Sequence, residues 1–205
     1  MDKKIFIFAS SLLIIFFIGI NLSQNTKTNA EVTKEISEQI IIPVKAHIIK
    51  DTSGAYTSSR SEENVISLLE KANQIWVKAN IYFQLEEIVV TNVSFEAIPN
   101  AINGNYLELT GHENFAGDKL NFFLVQSLNN INGLSLTSIN SILVADYTTV
   151  NDFRTTAHEL GHILDLRHVS PSNRLMARER NGELLSPEEI LIARKSASGL
   201  LKELN

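Results

Sequence analysis

Apolar residues recur along this chain at two spacings, which together predict helices packed on a β-sheet. A weak edge strand is expected at residues 134–137, where the flanking segments are polar. The stretch from residue 91 to Gly117 shows neither spacing, so we expect loops there. Runs rich in β-branched and apolar residues predict the main strands at residues 40–49, 81–90, 119–128 and 141–146.

Three segments have apolar residues at helical spacing. Residues 61–80 predict a long amphipathic helix with Ser61 as N-cap and Trp76 in the core. A second helix should begin near Asn151 or Asp152, and a last one opens with a capping box at residues 186–189. The order of strands and helices predicts an α/β or α+β layered fold with a mixed sheet. The buried faces should comprise Phe153, Ala157, Leu160 and Leu164 in the second helix and Ile190, Leu191, Ala197 and Leu200 in the last.

The first thirty residues differ from the rest of the chain. A basic head with Lys3 and Lys4 precedes an apolar run at residues 5–20, and a polar stretch ends at Ala30. This layout is typical of a secretory signal peptide over residues 1–30. An uncleaved membrane anchor is the alternative, because the run is long for a signal and slightly short for a full span.

Both interpretations place the remainder of the chain outside the cytoplasm, either secreted or anchored by residues 5–20. Residues 31–39 are then a linker or short pro-segment. Residues 40–205 are long and apolar enough for one folded domain, since 44% of the 205-residue chain is hydrophobic.

Charge and cysteine content limit the partners and the metal ligands that the chain can use. The formal net charge is −5, and it is two units more negative without residues 1–30, so we expect no nucleic-acid partner. The arginines Arg174, Arg178 and Arg180 are better explained as a solvated loop than as a basic patch. The chain has no cysteine, so any metal must be held by histidine, aspartate or glutamate.

Residues 158–168, HELGHILDLRH, contain three of the five histidines of the chain. His158 and His162 are four residues apart, so on a helix their rings project from one face and can share a metal ion. Glu159 is placed to reach a water on that ion. With zinc lowering the pKa of the water toward about 7, Glu159 can act as general base and then pass the proton to a leaving amine.

A third protein ligand is expected, because catalytic zinc commonly keeps three and leaves one position for water. His168 is six residues after His162, so it can reach the ion only if the helix stops near Leu164 and the chain turns back. Position 165 then needs a left-handed conformation, which glycine adopts best and Asn or Asp next best. Asp165 should cost on the order of 1 kcal/mol there, which is small beside zinc binding.

HELGHILDLRH resembles the metzincin motif HExxHxxGxxH and departs from it only at Asp165. Met176 corresponds to the methionine that metzincins place in a tight turn beneath the metal. The predicted elements around the motif also resemble a small bacterial, matrixin-like metzincin. This resemblance implies a mostly parallel twisted sheet with a long backing helix and an active-site helix, then an irregular Met-turn segment and a C-terminal helix.

The resemblance also implies a function for residues 40–205, the catalytic domain of a zinc endopeptidase, which we expect to be exported and monomeric. His158, His162 and His168 would bind one zinc ion, Glu159 would act on the water, and a protein or peptide substrate would pair with the edge strand at residues 134–137. No tyrosine follows Tyr147, so the tyrosine that helps stabilise the oxyanion in some metzincins is missing. That task is then left to the metal.

Two other functions compete with this interpretation. Asp165 supports a catalytically inactive, zinc-bearing binding module at the cell surface, and a purely structural exported domain would carry no metal. Structural calcium has no support, because the loop-prone acids lack the spacing of a calcium loop. His47 and His112 match no pattern, and we expect no role for either. The loop-prone acids are Asp118, Asp146 and Asp152.

Overall fold

The apolar runs form a five-stranded β-sheet in the computed structural model, which describes residues 38–178 and 180–204. The strand order is β2-β1-β3-β5-β4, and every neighbouring pair is parallel except β4 with β5. The predicted mixed, mostly parallel sheet is confirmed. The strands are β1 (Ile40–Asp51), β2 (Ile81–Val93), β3 (Leu120–Val125), β4 (Gly133–Leu136) and β5 (Ser141–Ala145).

Two of the three interior strands, β3 and β5, are buried along their whole length. Parallel strands need this, because helices or loops cover both faces of such a sheet and the strand sequences become continuously apolar. The short strand β4 lies at one edge of the sheet, one residue earlier than predicted, and its only strand partner among the described residues is β5. The edge beside the histidine motif therefore stays open.

Five α-helices accompany the sheet in the described part of the chain. The N-terminus of α1 is closed by a reciprocal cap, in which the Ser61 side chain accepts from the backbone of Asn64 and the Asn64 side chain accepts from the backbone of Ser61. A similar pair of hydrogen bonds joins Ser186 and Glu189 at the start of α5. The helices are α1 (Glu62–Trp76), α2 (Ala97–Ile102), α3 (Leu107–Thr110), α4 (Asp152–Ile163) and α5 (Pro187–Leu204).

The prediction of loops between residue 91 and Gly117 was wrong for two segments. Helices α2 and α3 occupy them and bury Ile98, Ala101 and Leu109. Both helices are only one or two turns long, so they contain too few residues to show a helical repeat in the sequence. They cover the sheet face opposite α1 and complete a second apolar core.

The larger core lies between the sheet and the helices α1, α4 and α5. Trp76 is fully buried there, as predicted, and its Nε1 donates a hydrogen bond to the carbonyl of Ala157 at 3.2 Å. This bond ties the backing helix α1 to α4, the helix that carries the histidine motif. On α5 the prediction for Leu191 was wrong, because Leu191 is exposed and the buried stripe runs through Ala193, Ala197 and Leu200 instead.

The predicted signal or anchor at residues 1–30 and most of the predicted linker at 31–39 lie outside the described residues. Their interpretation stays a prediction. In residues 38–178 and 180–204, no helix combines the length and the apolar character that crossing a membrane requires.

His47 has a structural role that the sequence did not reveal. It is completely buried on β1, where its Nδ1 lies 2.9 Å from the hydroxyl of Thr91 and its Nε2 lies 3.0 Å from Oδ1 of Asn121. The ring also stacks on Phe123. This network joins β1 to β2 and β3 in the middle of the sheet, and burial lowers the pKa of His47 to about 4.

Replacing His47 by glutamine should make the stability of the protein less dependent on pH. The folded parent keeps His47 neutral down to a pKa of about 4, whereas the unfolded chain binds a proton near pH 6.5. The free energy of unfolding of the parent therefore falls as the pH drops from about 6.5 through 4, by on the order of 3 kcal/mol from this residue. Urea unfolding at pH 7 and pH 4 measures the difference.

The half-buried His112 provides the control, because His112→Gln should leave the parent's pH dependence in place. An equally steep loss of stability in His47→Gln and in the parent would contradict the assignment.

Candidate active site

The end of helix α4 determines where the third histidine lies. The helix stops at Ile163, and Asp165 adopts a left-handed conformation with φ of 62°. The N–H of Asp165 donates to the carbonyl of His162 at 3.1 Å, and the N–H of Leu166 donates to the carbonyl of Gly161 at 2.9 Å. This is the Schellman pattern of a helix C-terminus. The turn that the spacing required is thus present, with aspartate in it.

The turn brings His168 back to the two histidines of α4. The Nε2 atom of His168 lies 3.1 Å from the Nε2 atoms of both His158 and His162. Three nitrogens bound to one tetrahedral zinc ion at 2.0–2.1 Å would be about 3.3 Å apart, so the three rings fit a shared ion. Among the described residues, these histidines are the one group of His, Cys, Asp or Glu side chains close enough to hold a metal.

Backbone carbonyls orient the two helical histidines. Nδ1 of His158 lies 2.8 Å from the carbonyl of Leu175, and Nδ1 of His162 lies 2.8 Å from the carbonyl of Leu166. A carbonyl only accepts, so each Nδ1 carries the proton and each Nε2 keeps a lone pair for a metal. Burial lowers the pKa of His158 to about 3 and also lowers the pKa of His162, which favours the neutral rings that a metal needs.

Arg178 contacts the third histidine. Its Nε donates a hydrogen bond to Nδ1 of His168 at 3.0 Å. In this arrangement the proton of a neutral His168 lies on Nε2, which faces His158 and His162. A metal ion at the same place would require that proton to leave Nε2, and Arg178 would then have to release Nδ1. Arg178 is exposed in an irregular segment, as expected of a solvated loop, and it also contacts His168. The expectation was wrong for Arg174, which is half-buried and pairs with Glu189.

Glu159 lies beside the histidines but outside their cluster. It is only 7% exposed, and this burial raises the pKa of its carboxyl group to about 7. The positive charge of Arg154 and hydrogen bonds from the backbone and hydroxyl of Ser135 act in the opposite direction and favour the carboxylate. Ser135 belongs to the edge strand β4, so this strand holds the glutamate in place.

Gly133 allows β4 to approach the glutamate. A Cβ atom at this position would lie 2.7 Å from Cγ of Glu159 and 3.0 Å from Cγ2 of Thr155. Both distances are shorter than ordinary van der Waals contacts, so a larger residue would displace the side chain of Glu159. Gly133 and Ser135 were not identified as site residues from the sequence, because only the fold brings them to the histidine helix.

Met176 lies fully buried beneath the histidines, against α4. Its Sδ atom would be 2.6 Å from a Cβ atom at Gly161, so the contact depends on the glycine inside the motif. The N–H of Val169 donates to the carbonyl of Met176 at 3.1 Å, and the N–H of Leu175 donates to the carbonyl of Leu184 at 2.9 Å. These bonds fix the irregular segment around Met176 without regular secondary structure.

Arg154 is a further residue that the sequence did not single out. It lies on α4, four residues before His158, and is 3% exposed. Its guanidinium group donates to the carbonyls of Leu175, Ala177 and Gly182 in the segment around Met176. The one available signal was its position on the buried face of α4, where an arginine needs several acceptors.

The fold is similar to that of several solved structures. A promirolysin variant from Tannerella forsythia matches with a TM-score of 0.57 and 14% identity, over 91% of this chain and 92% of that chain. Archaemetzincin from Methanopyrus kandleri matches with a TM-score of 0.55 and 11% identity, over 78% of this chain and 96% of that chain. No protein-family model and no curated protein sequence matches the chain.

A chain from a chaperone–substrate complex also matches, with a TM-score of 0.56 and 13% identity. The match covers 80% of this chain but only 35% of that chain. At such identities the likeness concerns the fold alone. The five-stranded sheet and its helices are therefore similar in fold to promirolysin and archaemetzincin.

Asp165, the sequence feature behind the alternative of an inactive binding module, does not prevent the turn. The chain reverses with aspartate in place, and His168 reaches the other histidines. Oδ2 of Asp165 also accepts a hydrogen bond from the hydroxyl of Ser196 on α5 at 2.9 Å. The side chain thus anchors the turn to the last helix.

Asp165→Gly should unfold at nearly the same urea concentration as the parent, because relief of left-handed strain offsets the lost bond to Ser196. Asp165→Ala loses the same bond and keeps the strain, so it should be less stable than Asp165→Gly by about 1 kcal/mol. Ser196→Ala removes the bond alone and serves as the control. Equal stability of the alanine and glycine variants would show that the turn is not left-handed in solution.

Proposed function

We propose that this chain is an exported, zinc-dependent endopeptidase of the matrixin-like metzincin type. The observation that carries the proposal is the meeting of three histidine Nε2 atoms beside a buried glutamate, at the open edge of a sheet. Among the described residues, this is where metal-binding groups, a candidate base and a peptide-binding edge occur together.

His158, His162 and His168 would hold one zinc ion and leave a further position open. The exposure of the three rings supports this arrangement, because His158 is buried, His162 is half-buried and His168 is exposed. An ion held there would therefore be accessible from the side of His168. Zinc bound there would polarise a substrate carbonyl and lower the pKa of a water molecule.

Glu159 would accept a proton from that water on its carboxylate and later donate it to the nitrogen of the leaving amine. Ser135 and the close approach of β4 at Gly133 restrict the orientations of the carboxylate. A base fixed in this way needs little rearrangement when substrate arrives. Because no tyrosine follows Tyr147, the chain offers no phenol for the oxyanion after Met176.

The substrate would be an extended segment of a peptide or protein, added as a strand to β4. Within residues 38–178 and 180–204, this strand has β5 on one side and no strand on the other, so its outer edge can pair with a further backbone. Ser135 on the same strand contacts Glu159, so a peptide bound at this edge would lie close to the proposed base.

Export is proposed from residues 1–30 alone, through a cleaved signal or an anchor at residues 5–20. The absence of cysteine is compatible with both a secreted and a membrane-anchored protein, because folding outside the cytoplasm then involves no disulfide formation. We propose a monomer and no nucleic-acid partner.

Glu159→Ala should keep zinc and lose cleavage of denatured casein by about 10²- to 10⁴-fold, the usual contribution of a general base. Elemental analysis of the purified protein gives the zinc content, and a chelator should abolish cleavage by the parent. The exposed Glu188 supplies the matched control, since Glu188→Ala should cleave at the parent rate. A zinc-loaded Glu159→Ala variant as active as the parent would rule out this role for Glu159.

Gly133→Ala should lower kcat for the same substrate by on the order of 10- to 100-fold, because the new Cβ displaces the side chain of Glu159. The zinc content should not change, since the three atoms nearest to a Cβ at Gly133 belong to Glu159 and Thr155. Gly117→Ala is the control, because nothing lies within 4 Å of a Cβ atom there. Unchanged kcat in Gly133→Ala would mean that Glu159 does not depend on the close approach of β4.

A further inference from the structure

Arg154 is a buried cation without an ion-pair partner among the described residues. Its side chain lies on the inner face of α4 at 3% exposure, where an uncompensated charge would be costly. Three backbone carbonyls, those of Leu175, Ala177 and Gly182, compensate this charge. All three belong to the segment that follows His168, so one side chain joins the histidine helix to that segment.

The carbonyl of Leu175 has two donors. Nη2 of Arg154 donates to it, and Nδ1 of His158 donates to the same oxygen at 2.8 Å. The same Nη2 also donates to the carbonyl of Ala177, on the other side of Met176. The guanidinium group therefore binds the backbone on both sides of Met176. One of its acceptors, the carbonyl of Leu175, is also the group that orients His158.

This arrangement has a consequence for His158. A carbonyl that accepts from Nδ1 fixes both the tautomer and the direction of the ring, and so the direction of the Nε2 lone pair. The position of the Leu175 carbonyl is itself fixed by Arg154, because charge-assisted hydrogen bonds are stronger than neutral ones. Without the guanidinium group, the segment around Met176 would lose its link to α4, and His158 would lose a fixed acceptor.

We infer that Arg154 is a positioning residue, which aligns His158 for the metal through the carbonyl of Leu175. The inference rests on the proposed zinc site but goes beyond it, since it assigns a role to a residue that touches neither metal nor substrate. It concerns metal affinity, so it is tested without any measurement of proteolysis.

The experiment compares Arg154→Met, Arg154→Lys and Arg194→Met with the parent. Arg194 is a matched control, because it is also a buried arginine, at 6% exposure, and donates to the carbonyls of Ala79 at 2.8 Å and Asn80 at 3.2 Å. Competition with a chromophoric chelator gives the zinc Kd of each folded protein. The visible absorption spectrum of the cobalt-substituted protein reports the geometry of the ligands.

Arg154→Met should bind zinc about 10- to 100-fold more weakly than the parent, with an altered cobalt spectrum. Arg194→Met should keep the parent Kd and spectrum even if its Tm falls. Arg154→Lys retains the charge but has all its donors on one nitrogen, whereas Arg154 donates from both Nε and Nη2, so its Kd should rise by at least about threefold. If Arg154→Met does not fold, the lysine variant decides the matter.

A parent-like Kd and cobalt spectrum in the folded Arg154 variants would overturn the inference and leave the proposed peptidase intact. An equal loss of affinity in Arg194→Met would overturn it too, because the effect would then be general destabilisation. A parent that binds zinc but cleaves no protein would contradict the proposed function and leave the role of Arg154 standing. A parent that binds no zinc would overturn both.

Discussion

The site depends on the point at which helix α4 ends. Two histidines one turn apart are a local property of any helix, but the third can join them only after the chain reverses. The reversal is made by Asp165 in a left-handed conformation, with two hydrogen bonds from the turn back into the last turn of the helix. Had the helix continued by one turn, His168 would point elsewhere and Leu166 would not supply the carbonyl that orients His162.

Contacts with three other parts of the chain hold α4 and its site residues in place. Trp76 of α1 holds the helix from the core side, and the segment around Met176 supports it from below. Edge strand β4 lies over Glu159 from a third direction. Two of these contacts are closer than a Cβ atom would allow, at Gly133 and at Gly161. The glutamate and the first histidine are thus each held by backbone from another part of the chain.

Sequence spacing predicted the features that depend on neighbouring residues. The histidine pair, the turn at Asp165, the main strands and the edge strand are all encoded within short windows. It did not predict the roles of Arg154 and Ser135 or the hydrogen-bond network of His47. The partners of these residues lie far away in sequence, and only the fold brings them close. Helices α2 and α3 were not predicted for a different reason. One or two turns contain too little helical repetition to be recognised in the sequence.

The contact of Trp76 with α4 also allows the packing of this helix to be monitored by fluorescence. The chain contains one tryptophan, and its indole is fully buried, with its N–H bonded to the residue that precedes His158. Tryptophan fluorescence therefore originates from one place, directly behind the histidines. Changes in emission report on the packing of this helix, with no need for a label or an introduced chromophore.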